Sequence, residues 1–218
     1  MSICKLARML IIGLCVMSQG CIKHGSESSH EASQSSKPLF NHPELFTHSR
    51  SVTQNKTLRN VNQPIHPESI PTDLVVKMKR ILEESGGIGI AAPQIGINQQ
   101  AIIIVRTDKP DNPVQAYFNP RLTWVSETLS KDYEGCLSVP DGVGLVERPS
   151  EITVRYLDET GEAQEETLSG IIARVFQHEI DHLNGILFID KKLDQPLLSV
   201  EEYMKMKAEK SNTVIDVQ

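Results

Sequence analysis

Apolar and polar positions divide the chain into an unpatterned first quarter and a strongly patterned remainder. Met9 to Met17 form a short apolar run, too short to span a bilayer as a stable helix. From Lys23 to about Lys56 the chain is polar, rich in serine and histidine and without an apolar period, which predicts a flexible linker with solvated histidines. Order is expected to begin near Thr57-Leu58-Arg59. After Pro71, the residues Leu74, Val75, Met78, Ile81 and Leu82 recur at helical spacing, and Gly86-Gly87 ends the pattern, predicting a helix over residues 72–85. Residues 101–105 (AIIIV) are short, apolar and β-branched, and predict a buried strand. Further strands are expected at 115–119, 122–130, 152–157 and 163–168, the last two flanking the turn-prone Asp158-Glu159-Thr160-Gly161. A second helix is predicted over 170–183, with Ile171, Ile172, Val175, Phe176, Ile180 and Leu183 as its apolar stripe. Ser199 and Glu202 have the spacing of a capping box opening a short helix to about Lys210. There is no internal repeat, and strands followed by a helix carrying polar residues predict an α+β fold.

Composition changes this picture in three places. A chain of 218 residues with 39% apolar content suits one domain plus extensions. A formal charge of −6 argues against a nucleic-acid partner, which would call for a basic face. Of four cysteines, Cys4 and Cys15 lie in the first twenty residues; Cys21 and Cys136 have dissimilar surroundings and form no disulfide framework. Cys136 therefore needs another reason for its place. The N-terminus has the three parts of a secretory signal: Lys5 and Arg8, the apolar run, and small residues ending in Ser18-Gln19-Gly20-Cys21. The glycine before Cys21 also resembles a bacterial lipoprotein signal, in which lipidated Cys21 would attach the protein to a membrane, although Ser18 stands where an aliphatic residue is usual. The expectation is an exported or membrane-anchored bacterial protein. The alternative is a true start at Met9 or Met17 and a cytoplasmic protein.

The strongest chemical signal is His178-Glu179-Ile180-Asp181-His182. Positions four apart share one helix face, so both imidazoles can reach one metal ion while Glu179 stays free to hold a water. Catalytic sites of this kind use three protein ligands and leave one position open. One zinc-protease pattern would put a third histidine where Phe188 stands, and fails there. A second takes a glutamate about twenty residues downstream, which makes Glu202 a candidate and the protein a zinc endopeptidase. Yet Glu202 is already explained by its cap with Ser199. Cys136, in Glu134-Gly135-Cys136-Leu137-Ser138, is the other candidate, although a lone cysteine is more often a small buried hydrophobe. The residues alone leave both open.

Three motifs occur in fixed order: Gly87-Ile88-Gly89-Ile90-Ala91-Ala92-Pro93-Gln94, Glu134-Gly135-Cys136-Leu137-Ser138 and Gln177-His178-Glu179-Ile180-Asp181-His182. On these the chain resembles the peptide deformylases over roughly residues 58–192. The resemblance implies an α+β fold with strands surrounding a central metal-binding helix. It implies metal ligation by Cys136, His178 and His182, of ferrous iron natively, with zinc, nickel or cobalt able to occupy the site. The substrate implied is an N-formylmethionyl peptide or nascent chain, deformylated with Glu179 as acid and base. Gln94 and the backbone N–H of Leu137 would then hold the formyl oxygen, and the Gly89 carbonyl would accept from the substrate. Ile90 and Ile171 would line the methionine side, and Arg148 would be structural. Val143 departs from relatives that carry arginine there, which would change the grip on longer peptides. The organisation expected is a signal at 1–20, a flexible linker at 21–56, a deformylase domain at 57–195, and a C-terminal helix and tail at 196–218. A formyl-peptide binder without catalysis is disfavoured because Glu179 and Gln94 are both present.

Overall fold

The computed structural model describes residues 42–48 and 51–215; residues 1–20, Cys21 and the linker up to residue 41 lie outside the described residues. In chain order the elements are α1 (Val52–Leu58), α2 (Thr72–Ser85), β1 (Gly89–Ala91), a 3-10 turn (Ala92–Ile95), β2 (Ala101–Val105), β3 (Val114–Val125), β4 (Leu129–Cys136), β5 (Val139–Pro149), β6 (Glu151–Leu157), β7 (Ala163–Ser169), α3 (Gly170–Leu183), α4 (Phe188–Lys191) and α5 (Val200–Ile215). Five strands form one antiparallel sheet in the order β1-β2-β3-β6-β7, and β4 and β5 form a separate hairpin. α3 touches both sheets. This is the α+β arrangement of strands about a central helix.

The five-stranded sheet is covered on both faces, which explains the unbroken apolar run of β2. Ala101 and Ile103 join one core with Val75, Met78, Ile81 and Leu82 of α2. Ile102 and Ile104 join the other with Ile172, Val175, Phe176 and Ile180 of α3. Alternate side chains of a strand point to opposite faces, so only a strand sandwiched between two layers is apolar throughout. Full burial of each such side chain contributes about 1.5–3 kcal/mol. α2 stops where Gly86 takes φ 66°, a left-handed cap that suits glycine.

The structure corrects two expectations and adds two features. The strands expected at 115–119 and 122–130 divide elsewhere: β3 continues through Pro120 with register shifts between Phe118 and Arg121 and between Leu122 and Trp124 and ends at Val125, and Leu129 and Ser130 open β4. The register shifts are bulges, which keep the pairing while bending the strand. Residues 139–149 form β5 although their glycines and prolines hide any alternation, because β4 supplies the partner. The linker ends earlier than residue 56: residues 42–48 pack on the domain, with Leu45 at 0% exposure, and Ser51 caps α1 by accepting from the N–H of Gln54. The C-terminal segment is equally part of the fold. Val143 and Leu198 exchange both backbone hydrogen bonds at 2.9 Å, and Tyr203 of α5 is 1% exposed. Val143 lies buried at this contact. Among the described residues, no helix is long and apolar enough to cross a membrane.

Candidate metal centre and active site

Every residue of α3 from Ile172 to Leu183 is buried, the polar ones included. One face fills the sheet core; the other, carrying Arg174, His178, Asp181 and His182, lies against groups of the β4–β5 hairpin. Helical spacing sets the imidazoles of His178 and His182 with ring centroids 5.0 Å apart. Cys136, at the end of β4, brings its Sγ to 3.2 Å from Nε2 of His182. One donor atom from each of Cys136, His178 and His182 lies within 4.8 Å of the others, all three residues buried. Burial holds His182 well below its usual range, so the ring is neutral and free to ligate; its Nδ1 has no hydrogen-bond partner. A thiolate with two imidazoles is a donor set for iron, zinc, nickel or cobalt, and three protein ligands leave a position open. The residues fit a metal ion.

Glu134 organises the ligands from behind. Its carboxylate accepts from Nδ1 of His178 at 2.9 Å, which turns Nε2 toward the centre. The same carboxylate accepts from Arg148 at 2.6 and 2.9 Å and from Arg174 at 2.7 Å. Burial alone would raise its pKa, but the hydrogen bonds from Arg148 and His178, with their charges, hold it well below the usual carboxylate range. Arg148 reaches on to Asp181 at 2.8 Å, confirming the structural part expected of it. Glu179 has the opposite surroundings. It is 1% exposed, its Oε2 has no partner, and burial pushes it up to about 7. Its other oxygen lies against Gly89, where a Cβ would come within 2.4 Å, so any side chain there would displace the Glu179 carboxylate. Gln94 is fixed by the N–H of Ala91, which donates to its Oε1 at 2.8 Å, and its Nε2 lies 3.5 Å from Sγ of Cys136.

Residues 51–196 match the polypeptide deformylase family model. The chain belongs to the polypeptide deformylase family. A peptide deformylase of a Synechocystis species is 44% identical over 133 residues, covering 61% of this chain and 71% of the relative. The crystal structure of a Synechococcus elongatus peptide deformylase in complex with actinonin has a TM-score of 0.63 at 33% identity, covering 73% of this chain and 83% of that one. A class I type b peptide deformylase from Acinetobacter baumannii, solved with Met-Ala-Ser bound, has a TM-score of 0.60 at 34% identity, covering 67% and 96%. The deformylase family carries out metal-dependent removal of the formyl group from N-formylmethionyl peptides.

Within this deformylase fold, Cys136, His178, His182, Glu179, Gln94 and Gly89 converge on one centre. Leu137 occupies the turn directly after Cys136, with its side chain buried. Ile171 packs half-buried at the edge of the α3 core. Ile90 does not join them. It is 0% exposed in the α2 core, while its neighbour Gly89 faces Glu179, and the strand period puts the two on opposite sides of β1. The apolar neighbour beside the α3 core is Ile88, half-buried with Ile171. Glu202 is not a ligand: its Oε2 accepts from the N–H of Ser199 at 2.7 Å, and its own N–H donates to Ser199 Oγ at 3.2 Å, closing the capping box. Phe188 stacks on His178, with centroids 6.2 Å apart. Glu134 is the residue that sequence reasoning quoted without giving it a task. Its signal was an acid two residues before the ligand cysteine, in a segment that also had to bury arginines.

Proposed function

We propose that this chain hydrolyses the formyl group of N-formylmethionyl peptides at a centre where Cys136, His178 and His182 hold one divalent ion. The observation that carries the reading is a buried carboxylate oxygen without a partner, on Glu179, in the turn of helix between two histidines whose donor atoms meet a cysteine sulfur. When bound, the ion supplies Lewis acidity that lowers the pKa of a water and polarises a carbonyl oxygen. Glu179 holds that water through its free oxygen and takes its proton, leaving the water oxygen to add to the formyl carbon. The amide of Gln94 and the backbone N–H of Leu137 donate to the formyl oxygen as charge builds there, each worth about 3 kcal/mol of barrier. Glu179 then returns its proton to the nitrogen, the C–N bond breaks, and formate and a free amino terminus leave. The burial that lifts Glu179 toward neutrality suits a group that must both take and give a proton.

The Gly89 carbonyl serves the substrate backbone, and the missing side chain of Gly89 leaves the room that Glu179 occupies. Ile88 and Ile171 form the apolar side for methionine. Ferrous iron is the ion we assign; the thiolate beside two imidazoles also accepts zinc, nickel and cobalt. Use of the signal at 1–20, with lipidation of Cys21, would place the site outside the cytoplasm, where thiolate and ferrous iron are open to oxidation and zinc or nickel is favoured. Cell fractionation tests this, and exclusively cytoplasmic protein beginning at Met9 or Met17 overturns it. The activity itself is tested by formate release from formyl-Met-Ala-Ser with the full chain, purified anaerobically and with its metal quantified. Metal-dependent release is expected, and a folded, fully metallated sample that releases none overturns the substrate.

A further inference from the structure

The segment 42–48 precedes the residues that match the family model, yet it is built into the wall of the active site. Leu45 is buried in the α2 core. The ring of Phe46 lies against Gly96, where a Cβ would stand 2.6 Å from its Cζ. Glu44 pairs with Lys77 at 2.9 Å and with Arg80 at 2.5 Å, and His42 meets Glu84 at 2.7 Å. These surface pairs add little energy, but with Leu45 they fix the path of the segment along α2.

Its last residues then reach two parts of the catalytic machinery. The N–H of Phe46 donates to the carbonyl of Gln94 at 2.7 Å, and the N–H of His48 donates to the carbonyl of Ser138 at 3.0 Å. The imidazole of His48 adds a second hold on the same hairpin turn, with Nδ1 3.3 Å from the Ser138 carbonyl and Nε2 3.2 Å from Asp141 Oδ2. Gln94 and that turn also meet directly, through the Gln94 amide at 3.3 Å from Ser138 Oγ and 3.5 Å from Cys136 Sγ. Those side-chain contacts are long, and the amide gives them up when it turns to a formyl oxygen. The backbone bonds of the segment need not change. We infer that residues 42–48 are a positioning element of the active site, with His48 the positioning residue: the segment ties the 3-10 turn carrying Gln94 to the β4–β5 turn that carries Leu137 directly after Cys136, and so sets the spacing of the groups that receive the formyl oxygen.

The inference rests on the deformylase reading, and its test separates the two. His48→Ala, Asp141→Ala and His48→Asn are made in the full chain and compared with the natural protein for formate release, metal content, melting temperature and hydrogen exchange of residues 136–139. Both alanine variants are expected to lose about tenfold in kcat, with KM within about twofold, because a small misplacement of donors acts on the transition state. Metal content and melting temperature should be kept, exchange in the turn should quicken, and His48→Asn should recover part of the loss, its amide lying near the place of Nδ1. Unchanged kcat in both alanine variants overturns the inference. So does a loss that follows metal content, or one confined to KM. If the natural protein releases no formate while turn exchange still quickens in the variants, the substrate assignment fails and the tether stands.

Discussion

Glu134 and Glu179 are both buried, at 0% and 1% exposure, and both lie at the centre formed by Cys136, His178 and His182. Their partners differ completely. Glu134 receives hydrogen bonds from Arg148, Arg174 and His178 and is held ionised. Glu179 keeps one oxygen without a partner and is pushed toward neutrality by burial. A saturated carboxylate makes a rigid scaffold, because losing any partner leaves another charge stranded. An unsaturated one is costly to the fold but available to chemistry. The comparison teaches that burial alone does not mark a catalytic acid; the count of its partners does.

The comparison can be broken first at Glu179. Glu179→Gln should lower kcat for formate release by about 10²–10⁴-fold, the range for a lost acid/base group, with melting temperature unchanged or raised. Activity within tenfold of the natural protein would remove Glu179 from the role. Next in size, Glu134→Gln should destabilise the fold by about 3–5 kcal/mol, because Arg174 loses its carboxylate and Arg148 keeps only Asp181, read from urea unfolding. It should also weaken metal binding by about 10–100-fold through loss of the bond to His178.

The third test uses pH on metal-stripped protein. Glu179 is raised from 4.5 to about 7 in the folded state, so its contribution is full below 4.5 and lost as pH rises through 7. Glu134 is lowered, so its contribution is full above 4.5 and lost as pH falls below that value. Calorimetry across this range should show both limbs, and Glu179→Gln should flatten only the neutral one. The smallest effect is expected at a third glutamate. Glu202→Gln should leave metal content unchanged and cost about 1 kcal/mol or less of stability, the scale of one cap. Loss of the metal in this variant would return Glu202 to the ligand set.

How much could be read along the chain depended on the range of the signal. α2, β2 and α3 were legible because their apolar periods report burial within a single element. The pair His178 and His182 was legible because four residues are one helical turn. β5 was not, since Gly142, Gly144 and Pro149 obscure its alternation and its pairing partners, β4 and the segment through Leu198, lie outside it in the chain. Ile90 was assigned through the resemblance alone, and no local period revealed β1, which turns its side chain into the α2 core.

The same physical line separates the two halves of the active site. Local spacing established the helix, its two histidines, the adjacent acid and the capping role of Glu202, because each depends on atoms a few residues apart. Folding alone brought Cys136 to His182, gave Glu134 its arginines while leaving Glu179 without any, and laid residues 42–48 across Gln94 and Ser138. Those contacts join residues tens of positions apart, and the energy of a buried charge is set by what surrounds it in space, not by its neighbours in the chain.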